Sequence, residues 1–287
     1  MQVIFASMET LKKQKFGIKT QKQTAAEWFK TLRNNICAEF ENIDGEGKFE
    51  RKTWLRDGGG GGEMSVMRGK VFEKVGVNIS TVYGTLSEQF QKELPGADKD
   101  PNFWASGVSL VAHMQSPHVP AVHFNTRFIC VGEKTWFGGG ADLNPMYPVK
   151  EDTEFFHGKF KNACDKHDSA YYEKFSKWCD DYFFNKHRNE TRGVGGIFYD
   201  YLDTGNWIFD FAFTQDVGRA FLEAFPPIVR KNMNKTWTEA EREHQLKKRG
   251  HYAEFNLVYD RGTRFGFMTG GNTEAILMSL PPVAKWP

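Results

Sequence analysis

The sequence predicts an α+β fold, a single domain built on a large antiparallel β-sheet. Strand-like segments follow one another through residue 142, without the helical patterns of about 10–15 residues that a doubly wound sheet needs between strands. Within Ser106–Pro148, polar and apolar residues alternate with the period of a half-buried strand. No linker-like stretch divides the 287 residues, so one domain spans 1–287, with an N-terminal helical segment over 1–45 packed on it.

Thr24, Ala25, Ala26 and Glu27 have the spacing of a capping box, and Trp28, Leu32, Ile36 and Phe40 recur every four residues behind it, predicting a helix over 24–42. A strand follows at Lys48–Leu55. Asp57 then precedes the glycine run Gly58–Gly62, which reads either as a mobile surface loop or as backbone that approaches a ligand closely. Gly69–Gly84 reads as a strand and turn. Val108–Met114 and Ala121–Val131 form the next two strands, separated by a turn in which Pro117 and Pro120 flank His118. The third strand of this meander, Thr135–Phe137, is reached through Gly132, Glu133 and Lys134, and Gly138–Gly140 bend or bulge it, which leaves the aim of Asp142 unread. Phe155–Asn189 is mainly helical, with Phe156, Phe160, Tyr171, Phe175, Trp178 and Tyr182 on apolar faces, and Gly193–Gly196 ends it. Ile197–Asp200 and Trp207–Phe213 read as strands, Thr214–Val229 as a helix stopped or bent at Pro226 and Pro227, and Thr238–Arg249 as a charged helix. Glu254–Asp260 and Arg264–Met268 resemble a hairpin around Arg261 and Gly262, and the tail from Gly270 holds a short element.

Pairing the two strands of the 108–131 hairpin with His113 opposite His123 places Val111 opposite Asn125 and Ser109 opposite Arg127. Opposed side chains on one face stand about 4.5–5.5 Å apart. Ser109, His113, His123, Asn125 and Arg127 then share one face, and Val122, Phe124, Phe128 and Cys130 the other. One face packs a core; the other offers hydroxyl, imidazole, amide and guanidinium.

The formal charge of +2 gives no reason to expect nucleic acid or an anionic membrane as partner. With 26 Phe, 9 Tyr and 8 Trp, the chain has aromatics both for a core and for the walls of a pocket that takes a flat ligand. Cys37, Cys130, Cys164 and Cys179 show no CxxC spacing, which favours reduced thiols in an intracellular compartment. The start MQVIFASM is apolar only briefly and its lysines follow that run, which argues against a secretory signal. No run of about 18 apolar residues predicts a membrane-spanning helix.

Arg127, Arg192, Arg261 and Arg264 lie in aromatic, glycine-rich segments, and such a set suits a substrate with several carboxylates; the plainer reading of each is a surface ion pair. Asp142 and Asp260 read either as turn or cap residues or as carboxylates held in a partly dry site, where they accept N–H bonds or a proton. His113 and His123 suit acid–base work or metal binding. His157 and His187 join them as ligands only if the helical region between them is broken and folded back, since a straight helix holds them ~45 Å apart. His167, His244 and His251 read as surface or capping residues.

These residues lie in segments that together resemble one family, the oxygen-dependent coproporphyrinogen III oxidases: VFEKVGVNIS (71–80), FWASGVSLVAH (103–113), PAVHFNTRF (120–128), WFGGGADLNP (136–145), KHRNETRGVGGIFYDYL (186–202), YDRGTRFG (259–266) and TEAILMSLPP (273–282). The resemblance implies a flattened antiparallel sheet flanked by helices on both faces, in a homodimer. It implies conversion of the ring A and ring B propionates of coproporphyrinogen III into vinyl groups, with O2 as oxidant, release of carbon dioxide and hydrogen peroxide, and protoporphyrinogen IX as product. Family members are described as working without a redox cofactor. Some bacterial ones are described with a divalent metal, whose positions here would be His113, His123, His157 and His187. By the same resemblance His123 matches a proton donor, and Asp142 the carboxylate that meets pyrrole N–H groups. Ser109, Asn125, Thr126 and Arg127 match substrate contacts, and Arg192, Asp260 and Arg261 the polar lining. The tail motif departs from the usual Gly-Gly-Arg, having Gly270, Gly271 and Asn272, so a cationic contact there gives way to a backbone N–H contact. The arginine expected near Gly58–Gly62 is also missing, with Glu63 and Met64 in its place. A cytoplasmic location is expected, with the mitochondrion as the alternative. Two other functions fit the residues: a histidine-metal oxygenase or hydrolase, and a tetrapyrrole carrier without turnover. An RNA-binding sheet fits the near-neutral charge poorly.

Overall fold

A computed structural model describes residues 17–286; the run MQVIFASM, considered above for targeting, lies outside the described residues. One sheet holds β1 (Glu50–Leu55), β2 (Gly60–Met67), β3 (Phe72–Thr85), β4 (Asn102–Met114), β5 (Ala121–Val131), β6 (Lys134–Asn144) and β9 (Gly196–Leu202), each beside the next in that order. All of these pairings are antiparallel, as expected. A small ribbon, β7 (Phe184–Asn185) with β8 (Glu190–Thr191), stands apart.

The first face of the sheet is the core. Val122, Phe124, Phe128 and Cys130 of β5 meet α1 (Ile18–Asp44) and α5 (Trp207–Asn232), and α3 (Lys150–Asp165) packs on α5. Phe124 stacks on Phe221 with ring centroids 4.6 Å apart, and Phe40 on Phe72 at 4.7 Å. Each such side chain contributes about 1.5–3 kcal/mol by leaving water. The second face is covered by α6 (Glu239–Val258), α7 (Arg261–Met268) and α8 (Thr273–Leu277). There Phe255 meets Phe198, and Phe265 meets Phe103 and Phe90, the latter on the short α2 (Glu88–Gln91). α4 (Tyr171–Tyr182) crosses the β9 edge: Tyr171 and Phe175 join the first core, Cys179 and the adjoining Phe183 the second. The four cysteines are buried and unpaired. Among the described residues no helix is long and apolar enough to cross a membrane.

Several expectations need correction. The β4–β5 register is displaced by two residues: Ser109 faces Asn125 and Val111 faces His123, so neither His113–His123 nor Ser109–Arg127 is an opposed pair. An even displacement leaves every side chain on its predicted face. The turn residues 115–120 set this register, closing through Val119 N–H to Ser116 O and His118 N–H to Ser116 Oγ. α1 begins at Ile18, so Thr24 and Glu27 lie inside it and form no cap. Gly60–Gly62 belong to β2, not to a loop. β6 runs straight through Gly138–Gly140, and the irregularity lies in its pairing with β9. Gly140 has φ +145, and a Cβ there would stand 2.1 Å from Ile197 O, so glycine lets β9 close on β6. Trp207–Phe213 is not a strand but the start of α5, where the Asn206 side chain accepts from Phe209 N–H, and α5 runs past Pro226 and Pro227 to Asn232. Glu254–Met268 is no hairpin: it is the end of α6 followed by α7.

Candidate active site

Alternation along β5 sends His123, Asn125 and Arg127 to the second face. Register brings Asp142 of β6 opposite His123, and Ser109 of β4 opposite Asn125. Arg192, between β8 and β9, reaches the same place from the side.

Asp142 is the floor. It is 1% exposed, and its two oxygens accept four hydrogen bonds: Oδ1 from Arg192 Nη2 (2.7 Å) and His123 Nδ1 (2.9 Å), Oδ2 from Arg192 Nε (3.1 Å) and Asn144 Nδ2 (2.9 Å). Burial alone would raise its pKa, but the Arg192 guanidinium and the His123 bond outweigh it and bring the carboxyl from the ordinary 3.8 down to about 2. Arg192 is itself 3% exposed and boxed by aromatic faces, 4.0 Å from the Phe183 ring centre, 4.7 Å from Tyr252 and 4.8 Å from Phe255. Its Nη1 donates to Asn256 Oδ1 at 2.9 Å. Arg192 is thus committed to Asp142 in this state.

In the His123 tautomer that donates Nδ1–H to Asp142, Nε2 accepts from Asn125 Nδ2 at 3.2 Å. Asn125 Oδ1 is buried and has no hydrogen-bond partner among the described residues. The rim is more open. Ser109 is exposed, and Arg127 Nη2 reaches Asp200 Oδ2 at 2.9 Å. Arg261, half exposed, points Nη2 toward the same oxygen at 3.6 Å.

The other sequence-predicted residues have other partners. Thr126 is buried on the opposite, helix-packed face, so its side chain does not join this cluster. Asp260 caps α7, Oδ2 accepting from Thr263 N–H at 2.7 Å and Oδ1 from Tyr182 O–H at 2.9 Å. Gly270 and Gly271 form the turn from α7 to α8, and Asn272 caps α8 by accepting from Ala275 N–H. Arg264 is exposed on α7.

The four candidate metal histidines have separate partners. His113 donates Nε2–H to Ser279 O at 3.0 Å, and burial pushes its pKa down to about 3, so it is a neutral core residue. His157 bonds Tyr172 Oη and Val194 O, both at 2.9 Å; His187 bonds Glu254 at 2.7 Å and Tyr259 Oη at 3.0 Å; His123 bonds Asp142. Among the described residues no three His, Cys, Asp or Glu side chains group to hold a metal ion. The residues present do not fit the metal expected at these four histidines.

A cavity bounded by Asp142, Arg192, Cys179 and Phe183 has a volume of about 10 Å³, enough for about one water. Sequence reasoning missed Asp200, Asn256, Tyr182 and Asn144. Asp200 was legible in principle, as the polar break in the apolar run Ile197–Tyr199, two residues from Phe198 and so on its face. The α6 and α4 residues carried no such signal, because their position depends on how helices cross the sheet.

The chain matches the sequence profile of the family described as coproporphyrinogen III oxidase over residues 24–287. It is similar to proteins named oxygen-dependent coproporphyrinogen-III oxidase. That of Rickettsia bellii (strain RML369-C) is 59% identical over 277 residues, covering 93% of this chain and 99% of the relative. Those of Rickettsia africae (strain ESF-5) and Rickettsia conorii (strain ATCC VR-613 / Malish 7) are 58% identical over 274 residues, covering 92% of this chain and 98% of each relative.

Proposed function

This chain belongs to the coproporphyrinogen III oxidase family, and from that premise we propose how its own residues carry the reaction. The enzyme is an oxygen-dependent oxidoreductase of haem biosynthesis that decarboxylates the ring A and ring B propionates of coproporphyrinogen III to vinyl groups. For each vinyl, a propionate carboxylate, O2 and a proton are consumed, and carbon dioxide and hydrogen peroxide leave.

One observation supports the assignment of roles above the others. A buried anion, Asp142, shares its sheet face with an unpartnered buried acceptor, Asn125 Oδ1, while Arg127 and Arg261 stand at the open rim. Pyrrole N–H donors match the two acceptors, and propionates match the guanidiniums. Asp142, with a pKa of about 2, serves as a standing anion that accepts pyrrole N–H bonds and so enriches the ring toward oxygen; it is a poor resting place for a proton. His123, oriented through Nδ1, is the imidazole beside it, and Nε2 is the atom at which the proton of each turnover is held or passed.

The four bonds now on Asp142 mean that pyrrole N–H groups replace at least one of its donors. We take O2 as co-substrate with no resident redox cofactor, and expect a cytoplasmic homodimer.

The test is an aerobic assay on chelator-treated protein that follows vinyl groups, carbon dioxide and peroxide together. Equal yields support this function. Substrate binding without oxygen uptake would make the protein a tetrapyrrole carrier. Loss of turnover restored only by a divalent ion would make it a histidine-metal oxygenase.

A further inference from the structure

We propose that Asp200 is a positioning residue for substrate recognition: it gathers Arg127 and Arg261 into one fork that receives a single propionate. The inference rests on the function proposed above and goes beyond it by assigning the device that builds the carboxylate subsite.

Asp200 Oδ2 lies 2.9 Å from Arg127 Nη2 and 3.6 Å from Arg261 Nη2. Two guanidiniums this close repel unless an anion sits between them. Asp200 offsets part of the charge of the two guanidiniums, and what remains attracts an anionic group. The side chains are also aligned by rings: Arg127 stands over Phe198 at 5.9 Å, Phe198 stacks on Tyr182 at 4.4 Å, and Arg261 stands over Tyr182 at 5.0 Å. Asp200 faces only Nη2 of each guanidinium, and a guanidinium carries five N–H donors, enough for a further carboxylate.

The backbone is shaped for this pair. Pairing of β6 with β9 slips between Phe137 and Gly139, so Asp200 and Tyr201 both fall opposite Gly138. Such a bulge re-aims a side chain. Tyr201 carries the strain, with φ +53, and its N–H donates to Asp200 Oδ1 at 3.1 Å. Gly138 leaves the room: a Cβ there would stand 2.7 Å from Asp200 Oδ1 and 2.9 Å from Arg127 Nε. A bulge, a left-handed tyrosine and a glycine clearance thus converge on one ion pair at the rim.

The experiment is anaerobic binding, so that no turnover occurs, of coproporphyrinogen III and of four analogues that each have one propionate replaced by ethyl. Asp200→Asn is expected to raise Kd for the parent about tenfold, the worth of one charge-assisted hydrogen bond, and, in a parallel aerobic assay, to raise KM more than it lowers kcat. For one of the four analogues, wild type and variant are expected to bind alike, because the propionate served by the fork is gone. Gly138→Ala, which keeps Asp200 but crowds the pair, is expected to reproduce the pattern, and it carries the test if Asp200→Asn fails to fold. An unchanged Kd for the parent, or an equal loss on all five ligands, overturns the proposal; the second result marks a merely structural role. Arg127→Gln separates the levels. If it too leaves binding unchanged, the functional reading fails; if it weakens binding while Asp200→Asn and Gly138→Ala do not, only the role of Asp200 fails.

Discussion

Asp142→Asn changes one atom and removes one charge from the best-buried polar group of the site. The carboxyl titrates at about 2 against an ordinary 3.8. A shift in that direction favours the ionised form in the folded state by on the order of 2 kcal/mol. A folded pKa below the unfolded one gives stability that is fully present above about pH 4 and lost as pH falls through about 2. The variant also strands Arg192, whose side chain is 3% exposed and whose other hydrogen bond goes to the neutral Asn256 Oδ1. Removing one partner of a buried pair costs about 3–5 kcal/mol, so the larger figure applies at neutral pH. Urea unfolding of wild type and variant, followed by circular dichroism from about pH 7 to about pH 3, is expected to show a gap of about 3–5 kcal/mol that narrows on acidification. Asp142→Asn with Arg192→Met is expected to regain much of the stability and none of the turnover. A neutral-pH gap below about 1 kcal/mol, or one that does not narrow in acid, would refute the reasoning.

Other outcomes follow from single contacts. His123→Gln keeps substrate binding and lowers vinyl formation about 10²–10⁴-fold, measured by single turnover in air after anaerobic loading. Asn125→Ala removes, with its unpaired Oδ1, the 3.2 Å bond from Nδ2 to His123 Nε2; denaturation is expected to show a stability change within about 1 kcal/mol, while substrate affinity falls by about 1 kcal/mol. Gly140→Ala sets a Cβ against Ile197 O at a strained φ, and is expected to cost more than about 3 kcal/mol, with hydrogen exchange accelerated where β6 meets β9.

The polar face was legible because parity is robust: a strand that slips by two residues keeps its faces, so Ser109, His123, Asn125 and Arg127 were grouped correctly on a register that was wrong. The register itself depends on how residues 115–120 fold, which no period reports. Trp207–Phe213 misled because a short aromatic run has no decisive period, and the signal that resolves it, Asn206 as a cap, is one side chain. Asp260 misled in the same way: Asp260 capping Thr263 N–H starts a helix where Arg261 and Gly262 suggested a turn. The start of α1 was missed because residues 18–24 are almost entirely polar and lack an apolar stripe. The site's floor was half visible. Asp142 was singled out, but its saturation by Arg192, His123 and Asn144 comes from contacts between distant segments. The fate of Thr126 shows the limit of naming a run of neighbours: on a strand, adjacent residues serve opposite faces.

The most direct measurement is the structure of the anaerobic complex with coproporphyrinogen III. The account predicts the macrocycle on the second face of the sheet, its pyrrole N–H groups within about 3 Å of Asp142 and Asn125 Oδ1, and a propionate between Arg127 and Arg261. Asp142 still bonded only to Arg192, His123 and Asn144, with the macrocycle bound elsewhere, would contradict it.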